Sequence, residues 1–514
     1  MTTLVRGSSD TLTRDALAVL QPGFVGTTAP EWLLRRIGEG LSAVGLFGRN
    51  IVSAGQLAAL TAQLRAERDD VLVAIDEESG DVTRLEVRTG SSFPGNYALG
   101  TVDDTELTRA VARELGRRLA ECGVNLNWAP SADINSNPDN PVIGVRSFGA
   151  DTALAARHTV AYVEGLQAAG VAACTKHFPG HGDTNVDSHH AMPRIDVDLD
   201  TLHARELVPF RAAIAAGSKA VMSAHILLPA LDPNRPATLS PQILTGLLRE
   251  ELGYEGLIVT DGMEMQAISS TYGIERGSVL AIAAGADAIC VGGGLSDEET
   301  VLRLRDALVA AVRDGELPEE RLADAAARVR ALADWTRRVR GAAAEPGVAS
   351  QEEGTAPGSD IGLVAARRAV RVTVGPQPYE PLTSGPYVAA FTSGANIAVG
   401  DETPWGVAAE LAALLPGTTT DTYDASADSS SLSADVLGVA GDRRIVAVVR
   451  DVHRHPWMAD ALDALLAARP DTVVVEMGLD RAEPRGALHI ATHGAARVCG
   501  RAAAEVITGK GAGA

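Results

Sequence analysis

The stretch Thr105–Asn127, TELTRAVARELGRRLAECGVNLN, carries two periods in succession. Leu107, Val111, Leu115 and Leu119 recur every four residues, the mark of one buried helix face, and the pattern stops at Gly123, where a glycine ends a helix without strain. Val124-Asn125-Leu126-Asn127 then alternates as a strand does. Apolar runs of the same length surround it at Ala43–Phe47, Val71–Ile75, Val171–Cys174, Ala220–Met222, Gly256–Val259 and Ala288–Val291. Stretches of helical period separate these seven runs. Strand and helix alternating over about 300 residues predict a parallel sheet covered by helices, and that length favours closure into a (β/α)8-type TIM barrel. A doubly wound sheet is the competing α/β form.

Working outward, residues 341–359 have no apolar period and are rich in Gly, Ala, Glu, Ser and Pro, which reads as a linker. The predicted domains are a barrel over 1–340, a linker over 341–360 and a smaller α/β sandwich domain over 361–514. In the last, Tyr387–Phe391, Ile445–Val449 and Thr472–Met477 read as strands. The helical stretch Trp457–Ala467 makes a βαβ unit of the final two.

Composition narrows the functions open to such a chain. It has 514 residues, 46% hydrophobic and 22% charged, enough to build a sizeable core, and 45 Lys+Arg against 66 Asp+Glu give a net charge of −21. That excess of negative charge argues against nucleic acid or an anionic membrane as a partner. Cys122, Cys174, Cys290 and Cys499 lie far apart with no CxxC, as free thiols of a reducing compartment do. Arg6, Asp10, Arg14 and Asp15 interrupt the first thirty residues, and no later apolar run reaches the ~18 residues needed to span a bilayer. A cytoplasmic, soluble protein is expected.

Reactive side chains in parallel α/β folds collect at the carboxyl ends of strands. Asp76, Lys176-His177, His225 and Asp261 each follow a predicted strand. The densest segment is Lys176–His190, KHFPGHGDTNVDSHH, which holds four of the chain's 11 histidines. Broken by glycine and proline, it reads as a mobile loop at a site. Its histidines and carboxylates suit a metal, but a zinc site shows tighter spacing on one rigid element, so no metal or other cofactor is expected. Asp187 and His189, two apart in a turn, form the better pair: a carboxylate on an imidazole fixes its tautomer and raises its basicity, which makes a general acid/base. Asp261-Gly262-Met263-Glu264 is spaced as a capping box, a role compatible with a nucleophile at Asp261. Only three lysines occur, Lys176, Lys219 and Lys510. A chain that writes Arg almost everywhere keeps a compact point charge at Lys176.

Lys176-His177-Phe178-Pro179-Gly180-His181-Gly182, followed by Asp187-Ser188-His189, closely resembles glycoside hydrolase family 3, in its bacterial β-N-acetylglucosaminidase branch. Gly45–Ile51, Asn127–Pro130 with Asp133, Arg146–Gly149, Ala224-His225 through Asp232, Ala237–Ser240 and Thr260–Met263 follow in the family's order, over residues of about 20 to 335. The resemblance implies retaining hydrolysis of terminal, non-reducing β-linked N-acetylglucosamine through a covalent glycosyl-enzyme. Carried over by motif, Asp261 is the nucleophile, Asp187 and His189 the acid/base, and Asp76, Arg84, Arg146, Lys176 and His177 the substrate contacts. Here the run Asp76-Glu77-Glu78-Ser79-Gly80-Asp81 departs from the branch by being more acidic, which leaves the partner of Arg84 open.

Three alternatives accompany this reading. A neutral imidazole would not repel phosphate as a carboxylate would, so phosphorolysis in place of hydrolysis is the nearest. A β-glucosidase of the same family would take its acid from the second domain and would not need Asp187-Ser188-His189. A non-catalytic sugar-binding protein would have lost Asp261 or the Asp-His pair, and both are present. Expected substrates are N-acetylglucosaminides, either murein-derived muropeptides of peptidoglycan recycling or chito-oligosaccharides. The second-domain cluster Asp451-Val452-His453-Arg454-His455 reads as a solvated loop before a ligand site.

Overall fold

The computed structural model describes residues 11–187, 192–295, 297–344, 360–376, 379–394, 399, 402–426 and 429–510. Its helix over Thr105–Glu121 buries Leu107, Val111, Leu115 and Leu119. Full burial of each such side chain contributes ~1.5–3 kcal/mol, which outweighs any intrinsic helix preference. The chain divides into two compact units, one comprising Met1–Glu77, Thr108–Pro141 and Ala150–Thr355, the other Glu78–Leu107, Val142–Gly149 and Ala356–Ala514. The second unit thus includes two segments that precede the linker. The helix Glu319–Ala344 runs through the start of the expected linker.

In the first unit, strands β2 (Ala43–Leu46), β3 (Leu72–Ile75), β4 (Leu126–Asn127), β5 (Ala172–Phe178), β6 (Ala220–Ser223) and β7 (Leu257–Thr260) lie side by side in chain order, all parallel. Strand β8 (Ile289–Val291) meets β7 through the bridge Val259–Ala288 and pairs in parallel with β1 (Leu20–Pro22). The seven expected runs are β2 to β8. Sequence period does not reveal β1, which is three residues long and contains a buried Gln21 and a terminal proline. Alternate residues, among them Ala43, Ala74, Leu126, Cys174, Met222, Val259 and Cys290, share one core with Val329 and Leu332 of the helix Glu319–Ala344. Strands buried on both faces read as short continuous apolar runs. Because the strands are parallel, their carboxyl ends all lie at one edge.

The second unit is built on six strands in the order β11 (Thr419–Tyr423), β10 (Tyr387–Phe391), β12 (Ile445–Val449), β13 (Val473–Glu476), β14 (Leu488–Ala491) and β9 (Arg371–Val374). All are parallel except β9, which runs against β14. Val446, Val448, Val473 and Val475 pack on one face beneath the helix Arg497–Thr508. Ala447, Val449 and Val474 pack on the other beneath the helix Pro456–Ala468. The βαβ unit expected around that helix is present. Strands β9 and β11 were not legible because they are edge strands whose residues are almost all exposed, so no buried face imposes a pattern.

Candidate active site

Strand β5 is longer than its apolar core: it continues through Lys176 and His177 to Phe178. Past Cys174 its tail pairs with the chain after β4, with Lys176 N–H donating to the Pro130 carbonyl at 3.0 Å and Ala132 N–H to the Lys176 carbonyl at 2.6 Å. This fixes where the two side chains start. The Lys176 ammonium, 3% exposed, donates to Asp76 Oδ1 at 2.5 Å, and Asp76, at the end of β3, keeps 20% of its side chain exposed. A buried ammonium without that carboxylate would carry a desolvation cost of several kcal/mol.

His177 rests on Asp133, a fully buried carboxylate. Asp133 Oδ2 accepts from His177 Nδ1 at 2.7 Å and from Ser131 Oγ at 2.9 Å, and Oδ1 accepts from His181 N–H at 2.7 Å. Burial alone would raise the Asp133 pKa, but the His177 charge and these donors hold it at about 2. The bond to Nδ1 sets the rotation and tautomer of the His177 ring. Sequence reasoning gave Asp133 no role in the site; its signal was its place beside the Asn127–Pro130 stretch in the family resemblance.

The His181 ring lies edge-on to His177, centroids 6.0 Å apart. Both of its nitrogens are buried with no partner among the described residues. Burial first, then the neighbouring His177, lower its pKa to about 4 against the pull of Asp133 and Asp261, so the ring is neutral at neutral pH.

The first half of the loop that follows is hydrogen-bonded to neighbouring segments. Asn140 Nδ2 donates to the His181 carbonyl at 2.9 Å, and Arg205 reaches Asp183 Oδ2 at 2.6 Å while its Nε donates to Glu206 Oε1 at 2.6 Å. At Gly182 an added Cβ would sit 1.6 Å from the Ile134 carbonyl oxygen, so no other residue fits. Burial raises the Glu206 pKa to about 7 in spite of Arg205. Asp187 is half-buried at the end of the described segment. His189, the expected proton carrier, lies outside the described residues.

Asp261 follows β7. Its N–H donates to the Ser223 carbonyl on β6 at 3.2 Å, and its Oδ1 accepts from Gly262 N–H at 2.8 Å. The expected capping box does not form. The next helix, Gln266–Ser269, begins after Met265, and Glu264 turns instead to the backbone amides of Gly292, at 3.0 Å, and Gly293. The bond from Met263 N–H to the Cys290 carbonyl at 3.0 Å holds the turn against β8, where those amides are presented. His225, buried at the end of β6, donates from Nε2 to the Gly262 carbonyl at 2.9 Å, with the Thr238 hydroxyl 2.9 Å from Nδ1. The Cys174 thiol, whose pKa burial raises, feels the charges of Lys176, Asp76 and Asp261. Asp76, Lys176 and Asp261 thus all sit at the carboxyl-end edge of one parallel sheet, after β3, on β5 and after β7.

The remaining candidates belong to the second unit. Arg146 makes a buried two-pronged bond to Glu78, Nε to Oε2 at 2.9 Å and Nη2 to Oε1 at 2.6 Å, and also donates to the Val142 carbonyl at 3.2 Å. Arg84 Nη1 reaches the Val399 carbonyl at 3.5 Å. The unusual acidity of residues 76–81 resolves into separate partners: Asp76 takes Lys176, Glu78 takes Arg146, and Asp81 takes Arg450. No cluster of three or more His, Cys, Asp or Glu suited to a metal occurs among the described residues, and no described helix is long and apolar enough to cross a membrane. The four cysteines are free and buried.

Comparison with known proteins agrees with this arrangement. Residues 28–332 match the model of the glycosyl hydrolase family 3 N-terminal domain. Beta-hexosaminidase A of Pseudoalteromonas piscicida is 36% identical over 332 residues, 60% of this chain and 55% of that protein, so the chain matches about half of its length. A beta-hexosaminidase of Stenotrophomonas maltophilia strain R551-3 is 36% identical over 281 residues, 52% of this chain and 82% of that protein. The solved structure of a glycoside hydrolase family 3 beta-N-acetylglucosaminidase from Paenibacillus sp. str. FPU-7 superposes with a TM-score of 0.84 at 34% identity, covering 97% of each chain. With its family model matched over residues 28–332, more than half its length, the chain belongs to glycosyl hydrolase family 3.

Proposed function

We propose that the protein is a retaining exo-β-N-acetylglucosaminidase, with a closed (β/α)8-type TIM barrel over residues 1–340 as its catalytic domain and a smaller α/β sandwich over 361–514. One observation carries this reading: Asp261, the Asp76–Lys176 pair and the Asp133-held His177 converge at the carboxyl ends of β3, β5 and β7 in a single unit. The names of the beta-hexosaminidase relatives and of the Paenibacillus structure support the choice of sugar.

In this mechanism Asp261 attacks the anomeric carbon as its bond to the leaving oxygen breaks, and His189, held by Asp187, gives that oxygen a proton. His189 then takes a proton from water, which displaces Asp261 and frees the sugar. Asp76 accepts bonds from the sugar's hydroxyls, and Lys176 and His177 donate to them; Arg146 and Arg84, expected as further contacts, lie in the second unit, where Arg146 is bound to Glu78. No cofactor enters any step. Muropeptides and chito-oligosaccharides both present the required terminal N-acetylglucosamine, with a cytoplasmic enzyme meeting either as an imported fragment. The net charge of −21 speaks against nucleic acid or an anionic membrane as a further partner. Inorganic phosphate is the competing acceptor for the glycosyl-enzyme.

The deciding experiment is trapping. A 5-fluoro-N-acetylglucosaminyl fluoride should leave a stable adduct, found by peptide mass spectrometry on the peptide containing Asp261. Complete turnover-dependent inactivation with the label on another residue, or no adduct at all, overturns the assignment.

A further inference from the structure

The second unit contains a cavity of about 220 Å³ that the proposed mechanism does not use. At ~30 Å³ per water it holds about seven waters, the room of a single sugar ring. Its place in the fold matters. From β10 the chain goes to β11 on one side and returns to β12 on the other, so the strand order reverses between β10 and β12. Ligands of open parallel sheets bind in the crevice outside the strands' carboxyl ends at such a reversal. Thr392, directly after β10, and Arg450, directly after β12, both line the cavity.

The chemistry of the lining selects among ligands. Asp81 and Arg450 form a salt bridge on one wall, and the other Asp81 oxygen accepts from Ala495 N–H at 2.7 Å, just ahead of the helix Arg497–Thr508. The chain's own carboxylate already occupies the site where an anion would bind, and it neutralises Arg450. What stays available is donor-rich and uncharged. Arg450 has N–H groups beyond the one on Asp81, with no bond to them among the described residues. The Thr403 hydroxyl is buried with no partner among the described residues. The half-buried Trp405, packed against the apolar core of this unit, completes the wall with an aromatic side chain. An aromatic plane beside uncompensated donors fits a neutral pyranose, whose C–H face stacks while its hydroxyls accept bonds.

We propose that this cavity is a second saccharide-binding site, seating one neutral pyranose ring on Trp405 with its hydroxyls on Arg450 and Thr403. The choice of an N-acetylglucosamine saccharide as the probe rests on the functional reading above; the neutral-sugar class rests on the cavity alone.

The test counts sites on the full chain. Chitobiose is titrated calorimetrically into the Asp261→Ala protein, which does not consume it, and into the same protein carrying Trp405→Ala or Thr403→Val. Two sites are expected in the first. Trp405→Ala should weaken one of them at least tenfold, Thr403→Val should weaken the same one severalfold, and the other should be unaffected by either. In the parent chain, with Asp261 intact, Trp405→Ala should leave turnover of nitrophenyl N-acetylglucosaminide within twofold of normal, which also reports correct folding. One site in every variant, or a second site indifferent to Trp405, overturns the proposal. A single site that Trp405→Ala removes would uphold the cavity and sink the glycosidase reading instead.

Discussion

His225 donates a hydrogen bond from Nε2 to the carbonyl of Gly262 at 2.9 Å, tying the end of β6 to the peptide that follows Asp261. The Asp261 carboxylate accepts a hydrogen bond from the same turn, from Gly262 N–H at 2.8 Å. The imidazole therefore acts on the nucleophile through its neighbour. A loss of about 1 Å in alignment costs ~10²-fold in rate. His225→Phe is expected to lower kcat about that much with KM changed less than threefold, and His225→Gln, which can still donate, should recover part of it. Equal losses in both variants would mean that the bond merely stabilises the fold.

The role of His189 is separable by leaving group. Removing a general acid hurts poor leaving groups most, because an activated phenolate departs without a proton. His189→Ala should slow chitobiose cleavage ~10²–10⁴-fold and dinitrophenyl N-acetylglucosaminide cleavage far less. Steady-state rates on the two substrates decide it, and equal losses would assign His189 to loop structure.

Burial makes the Asp76–Lys176 pair asymmetric. Lys176 is 3% exposed and Asp76 20%. Asp76→Asn strands a buried ammonium and should cost ~3–5 kcal/mol in urea unfolding, whereas Lys176→Met leaves a carboxylate with some access to water and should cost less. Both should raise KM. The reverse order of stability would show that the carboxylate, and not the ammonium, is the partner that depends on the pair.

Two buried groups under the motif loop impose opposite pH slopes on stability. Glu206 keeps its proton up to about 7 in the fold against an ordinary value of 4.5, so its contribution, up to ~3 kcal/mol, is full below pH 4.5 and lost as pH rises through 7. His181 stays neutral down to about 4 against an ordinary 6.5, so its contribution is present above 6.5 and lost as pH falls through 4. In the parent chain they partly cancel. Urea denaturation of Glu206→Gln between pH 4.5 and 7 should show stability rising more steeply with pH than in the parent, and His181→Phe should show it falling. Parallel curves for all three proteins would refute both assignments.

Acceptor choice has a direct readout. With water as the acceptor, turnover in excess inorganic phosphate should yield N-acetylglucosamine and no sugar 1-phosphate by phosphorus NMR; accumulation of the phosphate ester would make the enzyme a phosphorylase.

The parallel α/β core was legible because strands covered on both faces must be short and apolar, and β2 to β8 obey that. Strand β1 escaped because Gln21 interrupts a run of only three residues, and β9 and β11 because exposure removes any pattern. In the strand-end region, Asp76, Lys176, His177 and Asp261 were visible by position. Asp133 was visible only as a motif residue without a role: it works by receiving bonds from His177 and His181, some 44 and 48 residues away, and no spacing in the chain announces such a partner. The capping box at Asp261 was a correct spacing with the wrong outcome, since Glu264 met two glycine amides from the next strand end before its own cap. Nor could spacing foretell that Arg146 would be committed to Glu78.

The six residues Asp76–Asp81 feed three ion pairs, to Lys176, Arg146 and Arg450, while the chain leaves the first unit for the second between Glu77 and Glu78. Asp76, Glu78 and Asp81 are each addressed by count as well as by charge. Exchanging one acid for its amide unsettles a single partner, but deleting or adding one residue would slide all the acids past their bases together. This hexapeptide is therefore a segment that admits spelling changes and forbids frame shifts.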